Sequence, residues 1–204
     1  AGPTQEPLDP VRYLTNHSTG KMGYAVARAA AMRGADVTLI HGPTALPPVK
    51  FTEDVPITTA QDMYEAVTSR FADMDILVMA AAVADYRPAT VADDKIKKKD
   101  GDLSIPVERT ADILGTIGPR KTKQFLCGFS METRDMVENS AAKLKKKNLD
   151  MVVANNLKVS GAGFGVDTNV VTFITPDGTR ELPLMSKADV ADAILDEILK
   201  RRGH

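Results

Sequence analysis

Tryptophan is absent from this chain, and its 204 residues hold only six Phe and four Tyr. That scarcity leaves few flat platforms on which the bases of a single-stranded nucleic acid could stack. An excess of one charge is lacking as well. The 26 Lys and Arg are balanced by 27 Asp and Glu, so no overall field draws the chain toward nucleic acid or an anionic membrane. The single cysteine, Cys127, excludes an internal disulfide framework and a cysteine-rich metal site. Within QFLCGF it reads as a small core residue. His17, His41 and His204 show no metal-ligand spacing. No apolar run approaches the roughly 20 residues that a membrane helix requires, and no signal peptide precedes AGPTQEP. A reducing, cytoplasmic setting is expected.

What is present suits a single domain spanning residues 1–204, with 43% apolar residues for its core. Small apolar residues at helical spacing predict a helix over residues 20–33, closed by Gly34. Buried strands are expected at ADVTLIHG, DILVMAAAV, QFLCGFSM and LDMVVAN. Between them fall a helix over residues 61–71 with Thr59 as its cap, a helix in ADILGTIG capped by Thr110, and a helix over residues 132–147. VVTFITPDGTRELPLM reads as a hairpin turning at Asp177-Gly178, and residues 187–202 as a closing helix. Continuous apolar strands alternating with helices make this an α/β, doubly wound, mainly parallel Rossmann-like sheet with a C-terminal β-hairpin. AGPTQEPLDP is turn chemistry from its first residue. A parallel sheet then places a strand immediately upstream of Ala1, so a longer parent polypeptide is expected.

In such sheets ligands collect beyond the carboxyl ends of the strands, and the loops there are the most unusual stretches of the chain. TNHSTGKMG opens the first helix. A P-loop would need glycine at Thr15 and a hydroxyl at Met22, so it is not one. Ser18, Thr19 and Gly20 can still turn backbone N–H groups toward an anion, or simply cap the helix through Ser18 or Thr19. Asn16, neutral and able both to donate and to accept, suits an acyl or amide oxygen. In AAAVADYRP, alanines allow a flat ligand to approach the backbone, and Asp85 could accept from a base amino group or help hold a metal. KIKKK, residues 95–99, is either a solvated face or a mobile basic flap over a triphosphate. Phe129 could stack on a base, and Lys143 and Lys147 share one helix face.

Taken in order, AGPTQEPLDPVR, NHSTGKMG, VTLIHGPTALP, AAAVADYRPATVADDKIKK, GFSMET and KKNLDMVVANN resemble the phosphopantothenoylcysteine synthetase (phosphopantothenate–cysteine ligase) family over nearly the whole chain. In many bacteria that enzyme follows a decarboxylase in one bifunctional coenzyme A biosynthesis protein. The resemblance implies a CTP-dependent joining of 4′-phosphopantothenate and L-cysteine through an acyl-cytidylate, releasing CMP and pyrophosphate. It places the acyl-cytidylate asparagine on Asn16 and the flap lysine on Lys95, both catalytic. It places nucleotide contacts on Asp85, Lys95, Ala111, Asp112, Ile113, Leu114, Phe129, Lys143 and Lys147. The family's N-P-D-I loop is TADI here, Thr110 to Ile113, without its asparagine and proline. Arg12 would partner the phosphate of phosphopantothenate, beside an anion site at Ser18, Thr19 and Gly20. A magnesium or manganese ion (Mg2+ or Mn2+) would accompany the triphosphate, and a homodimer is implied.

Two other classes compete. A short-chain NAD(P)-dependent oxidoreductase would use Tyr-x-x-x-Lys, but Tyr13, Tyr24, Tyr64 and Tyr86 are followed at the fourth place by His17, Arg28, Thr68 and Thr90. A nucleotide-binding subunit without activity would show no pyrophosphate release dependent on phosphopantothenate.

Overall fold

The computed structural model describes residues 1–98, 102–132, 135–156, 163 and 165–203, with Glu132 and Asn156 described by backbone alone. Lys99 of the basic run, residues 157–162 and 164, and His204 lie outside the described residues.

The chain opens with β1 (Gln5–Pro7) and β2 (Tyr13–Thr15), paired antiparallel. α1 (Lys21–Met32) leads to β3 (Val37–His41), which pairs in parallel with β4 (Thr52–Pro56). α2 (Ala60–Arg70) precedes β5 (Ile76–Met79). β6 (Tyr86–Pro88) and β7 (Val107–Arg109) form another small antiparallel pair. α3 (Ile113–Ile117), β8 (Phe125–Glu132), α4 (Met136–Lys146) and β9 (Met151–Asn156) follow. Finally come β10 (Thr168–Asn169), β11 (Val171–Thr175), β12 (Gly178–Glu181), β13 (Met185–Ser186) and α5 (Lys187–Arg202).

β5, β8 and β9 are parallel, and β11 and β12 continue the sheet antiparallel, in the order β12-β11-β9-β8-β5. Alternation along the strands splits their side chains between two cores. Phe125, Cys127, Met151, Val153, Val171 and Phe173 pack with α1 and α5 through Val26, Val190, Ile194 and Ile198. Leu126, Val152, Ala154 and Ile174 face the other way, toward Met63 and Val67 of α2, Ile113 and Ile117 of α3, and Leu144 of α4. The result is a three-layer α/β/α arrangement, as the strand–helix alternation predicts. Cys127 is fully buried, and burial pushes its thiol pKa up.

Residues 1–4 join the β3–β4 pair to this sheet. The Ala1 nitrogen donates to Ile40 O at 2.7 Å, and Gly42 N donates to Ala1 O at 3.0 Å. On the opposite side Ala82 N donates to Gly2 O at 2.9 Å and Thr4 N to Ala82 O at 3.2 Å. Backbones meet so closely here that a Cβ on Gly42 would lie 1.6 Å from Pro3 O. At Gly20, φ is +80° and a Cβ would approach Thr44 Cγ2 to 2.9 Å. The glycine of TNHSTGKMG therefore serves packing and a left-handed turn.

Several expectations are corrected. AGPTQEPLDP is not all turn, since β1 pairs with β2. The strand at residues 52–56, charged and ending in proline, escapes an apolar pattern because it pairs with β3 alone. The helix expected from residue 132 starts at Met136, because Glu132 still belongs to β8. Asp112, not Thr110, caps α3, its side chain accepting from Gly115 N at 2.9 Å. The hairpin turns at Pro176 and Asp177, since Gly178 already pairs with Thr175. Neither Ser18 nor Thr19 caps α1; Gly20 does, with no side-chain cap. Thr59 caps α2, as expected, and does so in a full capping box with Asp62.

Gly42→Ala is expected to lower stability by more than about 2 kcal/mol or to prevent folding, because the backbone of Pro3 cannot yield as a side chain would. Urea denaturation of the variant checks this.

Candidate functional site

Three alanines, Ala80 to Ala82, follow β5 and lead into the loop toward Asp85. Thr4 holds that loop. Fully buried, it accepts from Ala84 N through its hydroxyl at 3.0 Å, while its carbonyl accepts from the Thr15 hydroxyl at 2.7 Å. Asn16, the next residue, donates from Nδ2 to Ala82 O at 3.0 Å. Asn16 and the loop bearing Asp85 are thus fastened to one another at the carboxyl edge of the sheet.

Beside them opens a cavity of about 360 Å³. Met79, Ala81, Ile113, Leu114 and Phe129 give it apolar walls, while Asp85, Asp112, Arg109, Lys143 and Lys147 supply charge. Asp85, Ala111, Asp112, Ile113, Leu114, Phe129, Lys143 and Lys147, singled out in the sequence, all line this one space. They come from four separate stretches that the sheet and the α3 and α4 helices bring together.

The polar groups are ordered by the protein's own bonds. Lys143 Nζ donates to Phe129 O at 2.6 Å and Lys147 Nζ to Asp112 Oδ1 at 2.9 Å. Burial pushes the Asp112 carboxyl up, but Gly115 N–H and the two lysines outweigh it and its pKa is lowered. It is therefore ionised at neutral pH. Thr110 donates its hydroxyl to Ala84 O and its N–H to Asp85 O, tying the α3 entry to the Asp85 loop. The Asp85 carboxylate is exposed and makes no hydrogen bond among the described residues.

The remaining candidates stand outside the cavity lining. Lys95 is exposed. Its neighbour Ile96 is pinned, donating its N–H to Asp9 Oδ2 at 3.1 Å and accepting from Arg12 Nη2 at 3.0 Å. Arg12 also grips the enclosed Asp9 carboxylate through Nε and Nη2. That guanidinium holds the Asp9 pKa well below the usual carboxylate range. The base of the basic run is thereby anchored to the turn that leads into β2. Ser18 Oγ accepts from Gly20 N at 3.3 Å, so that N–H already has a partner.

Sequence reasoning missed Tyr86 and Arg109 as cavity residues. They pair across β6 and β7, with the guanidinium 5.9 Å from the ring centroid. A cluster of Asp, Tyr and Arg in AAAVADYRP was the available signal for Tyr86, whereas Arg109 depends on the strand pairing. Thr4 was legible only as part of a turn. Among the described residues no group of three or more His, Cys, Asp or Glu could hold a metal, and no helix is long and apolar enough to cross a membrane.

Residues 1–201 match the family described as DNA/pantothenate metabolism flavoprotein C-terminal domain. The coenzyme A biosynthesis bifunctional protein CoaBC of Bacillus subtilis (strain 168) is 52% identical over 200 residues, covering 97% of this chain and 49% of that protein. CoaBC of Escherichia coli (strain K12) is 44% identical over 205 residues, covering 98% and 50%. The chain therefore spans about half the length of these curated relatives. The crystal structure of a CoaBC C-terminal domain superposes with a TM-score of 0.84 at 46% identity, covering 98% of this chain and 93% of that one. A Cab2 mutant in complex with phosphopantothenate-cysteine shares the fold, with a TM-score of 0.84 at 18% identity over 100% of this chain and 84% of that one. Sequence and overall fold agree, and the chain belongs to the DNA/pantothenate metabolism flavoprotein C-terminal domain family.

Proposed function

We propose that this chain is a phosphopantothenate–cysteine ligase domain of coenzyme A biosynthesis, working with CTP. One observation carries the reading: eight residues to which the ligase family assigns nucleotide contacts line a single cavity, and Asn16 is fastened beside it through Ala82. Relatives named as coenzyme A biosynthesis proteins and the phosphopantothenate-cysteine bound by Cab2 support it.

The chemistry runs in two displacements. A carboxylate oxygen of 4′-phosphopantothenate attacks the α-phosphorus of CTP, and the bond to pyrophosphate breaks. The amine of L-cysteine then attacks the activated carbonyl; CMP leaves, and the amine proton passes to solvent or base. Ionised carboxylate alone has no leaving group better than oxide, which is why the nucleotide is required. Phe129 and the alanine edge would sandwich the base. Lys143 and Lys147 would exchange their present acceptors for ligand oxygens, and Lys95 would meet charge developing on the reacting phosphate. Asn16 would orient the acyl-cytidylate, with the anion site of Ser18, Thr19 and Gly20 and the phosphate partner Arg12 alongside.

Of the two carboxylates among the described cavity residues, Asp112 is held by Lys147, and Asp85 could reach a divalent ion without giving up a bond. A magnesium or manganese ion would be held largely by phosphate oxygens and water, neutralising charge on the triphosphate. Residues 1–204 are read as one ligase domain, cytoplasmic and homodimeric, joined to an upstream decarboxylase.

Pyrophosphate release with phosphopantothenate and cysteine, across a panel of nucleoside triphosphates, tests the reading. CTP is expected to be the best substrate, and release independent of phosphopantothenate contradicts it. Asn16→Asp sets a carboxylate against Ala82 O; acyl-cytidylate should accumulate while product falls by about 100-fold or more. Undiminished ligation would remove Asn16 from this role. Lys95→Gln should slow pyrophosphate release itself by a factor on the order of 100. A slowed cysteine step with normal release would place Lys95 elsewhere.

A further inference from the structure

α1 and α5 each begin with a lysine, Lys21 and Lys187. The partial positive charge of a helix start disfavours a cation there, so a competing demand must hold each one. Both side chains reach the same short stretch preceding β10. Lys187 is buried, and its Nζ donates to Gly163 O at 2.9 Å and Val166 O at 2.5 Å. Lys21 Nζ donates to Gly165 O at 3.0 Å and to Asp167 Oδ1 at 2.7 Å. Asp167 closes the ring, its backbone carbonyl accepting from Lys187 N at 2.8 Å. Burial and the nearby Lys21 charge lower the Lys187 pKa, while the Lys21 ammonium lowers that of Asp167. At the far end of α1, Arg33 bridges Asp192 and Asp196 of α5 at 2.8 Å each. The two helices run side by side in the same direction, and the lysines lock their starting ends.

The location gives the lock a consequence. Lys21 directly follows Gly20 in TNHSTGKMG, where a phosphate-binding lysine would be sought, yet its ammonium is directed to the chain between β9 and β10. None of the clasp residues lines the nucleotide cavity.

We propose that Lys21 is a positioning residue rather than a phosphate ligand. With Lys187 it clasps residues 165–167 against the start of α1 and fixes the segment carrying Asn16. The kinetic part of this rests on the ligase reading, whereas the structural part does not.

The test uses Lys21→Glu and the reversed pair Lys21→Glu with Asp167→Lys. Glutamate at a helix start is favoured by the dipole, so the single change does not weaken α1. In Lys21→Glu, amide exchange at residues 165–169 should rise about tenfold, as expected for losing charge-assisted hydrogen bonds. Conversion of preformed acyl-cytidylate should slow, with CTP affinity unchanged. The reversed pair should restore slow exchange and the cysteine step together.

Unchanged exchange in the single variant overturns the clasp. Weakened CTP or phosphopantothenate binding that the reversed pair does not repair makes Lys21 a phosphate ligand and overturns the positioning role. Should the unmodified protein ligate with no nucleotide, the ligase reading fails, and exchange still decides the clasp.

Discussion

Thr4 is the point through which the two halves of the site are held in register. Its N–H, hydroxyl and carbonyl bond respectively to Ala82, to Ala84 and to Thr15, all in a fully buried setting. An unmet polar group there would cost on the order of 1–3 kcal/mol, so none of these bonds is easily surrendered. Ala84 leads directly to Asp85 and Thr15 directly to Asn16. The backbone crowding of Pro3 against Gly42 keeps the segment in place from the other side. One buried threonine in the least conspicuous part of the sequence, through two backbone bonds and one side-chain bond, thus brings the Asn16 and Asp85 segments together.

A second theme is that three of the basic groups at this edge already have acceptors. Lys143 has Phe129 O, Lys147 has Asp112, and Arg12 has Asp9. Such pairing orients long side chains and reduces the entropy lost when a ligand arrives. It also sets a threshold, because a ligand oxygen has to compete with the resident acceptor. A polyanion with a counter-ion meets that threshold more readily than a single phosphate. Asp85, exposed and without a described partner, is the contrasting case.

Legibility followed the strength of each local signal. The cores of β5, β8 and β9 could be read as unbroken apolar runs because helices cover both faces. Thr59 marked the α2 start as its cap, and α5 was read with its observed ends. β4 was not legible, since TEDVP borrows its strand character from β3. Nor were β6 and β7 legible, three residues each and dependent on one another. At α3 two plausible caps lay two residues apart. Asp112 took that role because Thr110 is drawn to Ala84 O and Asp85 O, a tertiary demand that local sequence does not express. The cavity residues were found through resemblance more than through pattern: Ala111 and Leu114 carry no chemical signature, and only the fold brings them to the same cavity as Phe129.

The most direct measurement is a crystal structure of the chain with CTP and 4′-phosphopantothenate. The account predicts cytosine against Phe129 and the alanine edge of β5, phosphates between Lys147 and Asp85, and the pantothenate carboxylate or its cytidylate within hydrogen-bonding distance of Asn16. Nucleotide bound on the opposite side of the sheet, or an acyl group remote from Asn16, would contradict the account.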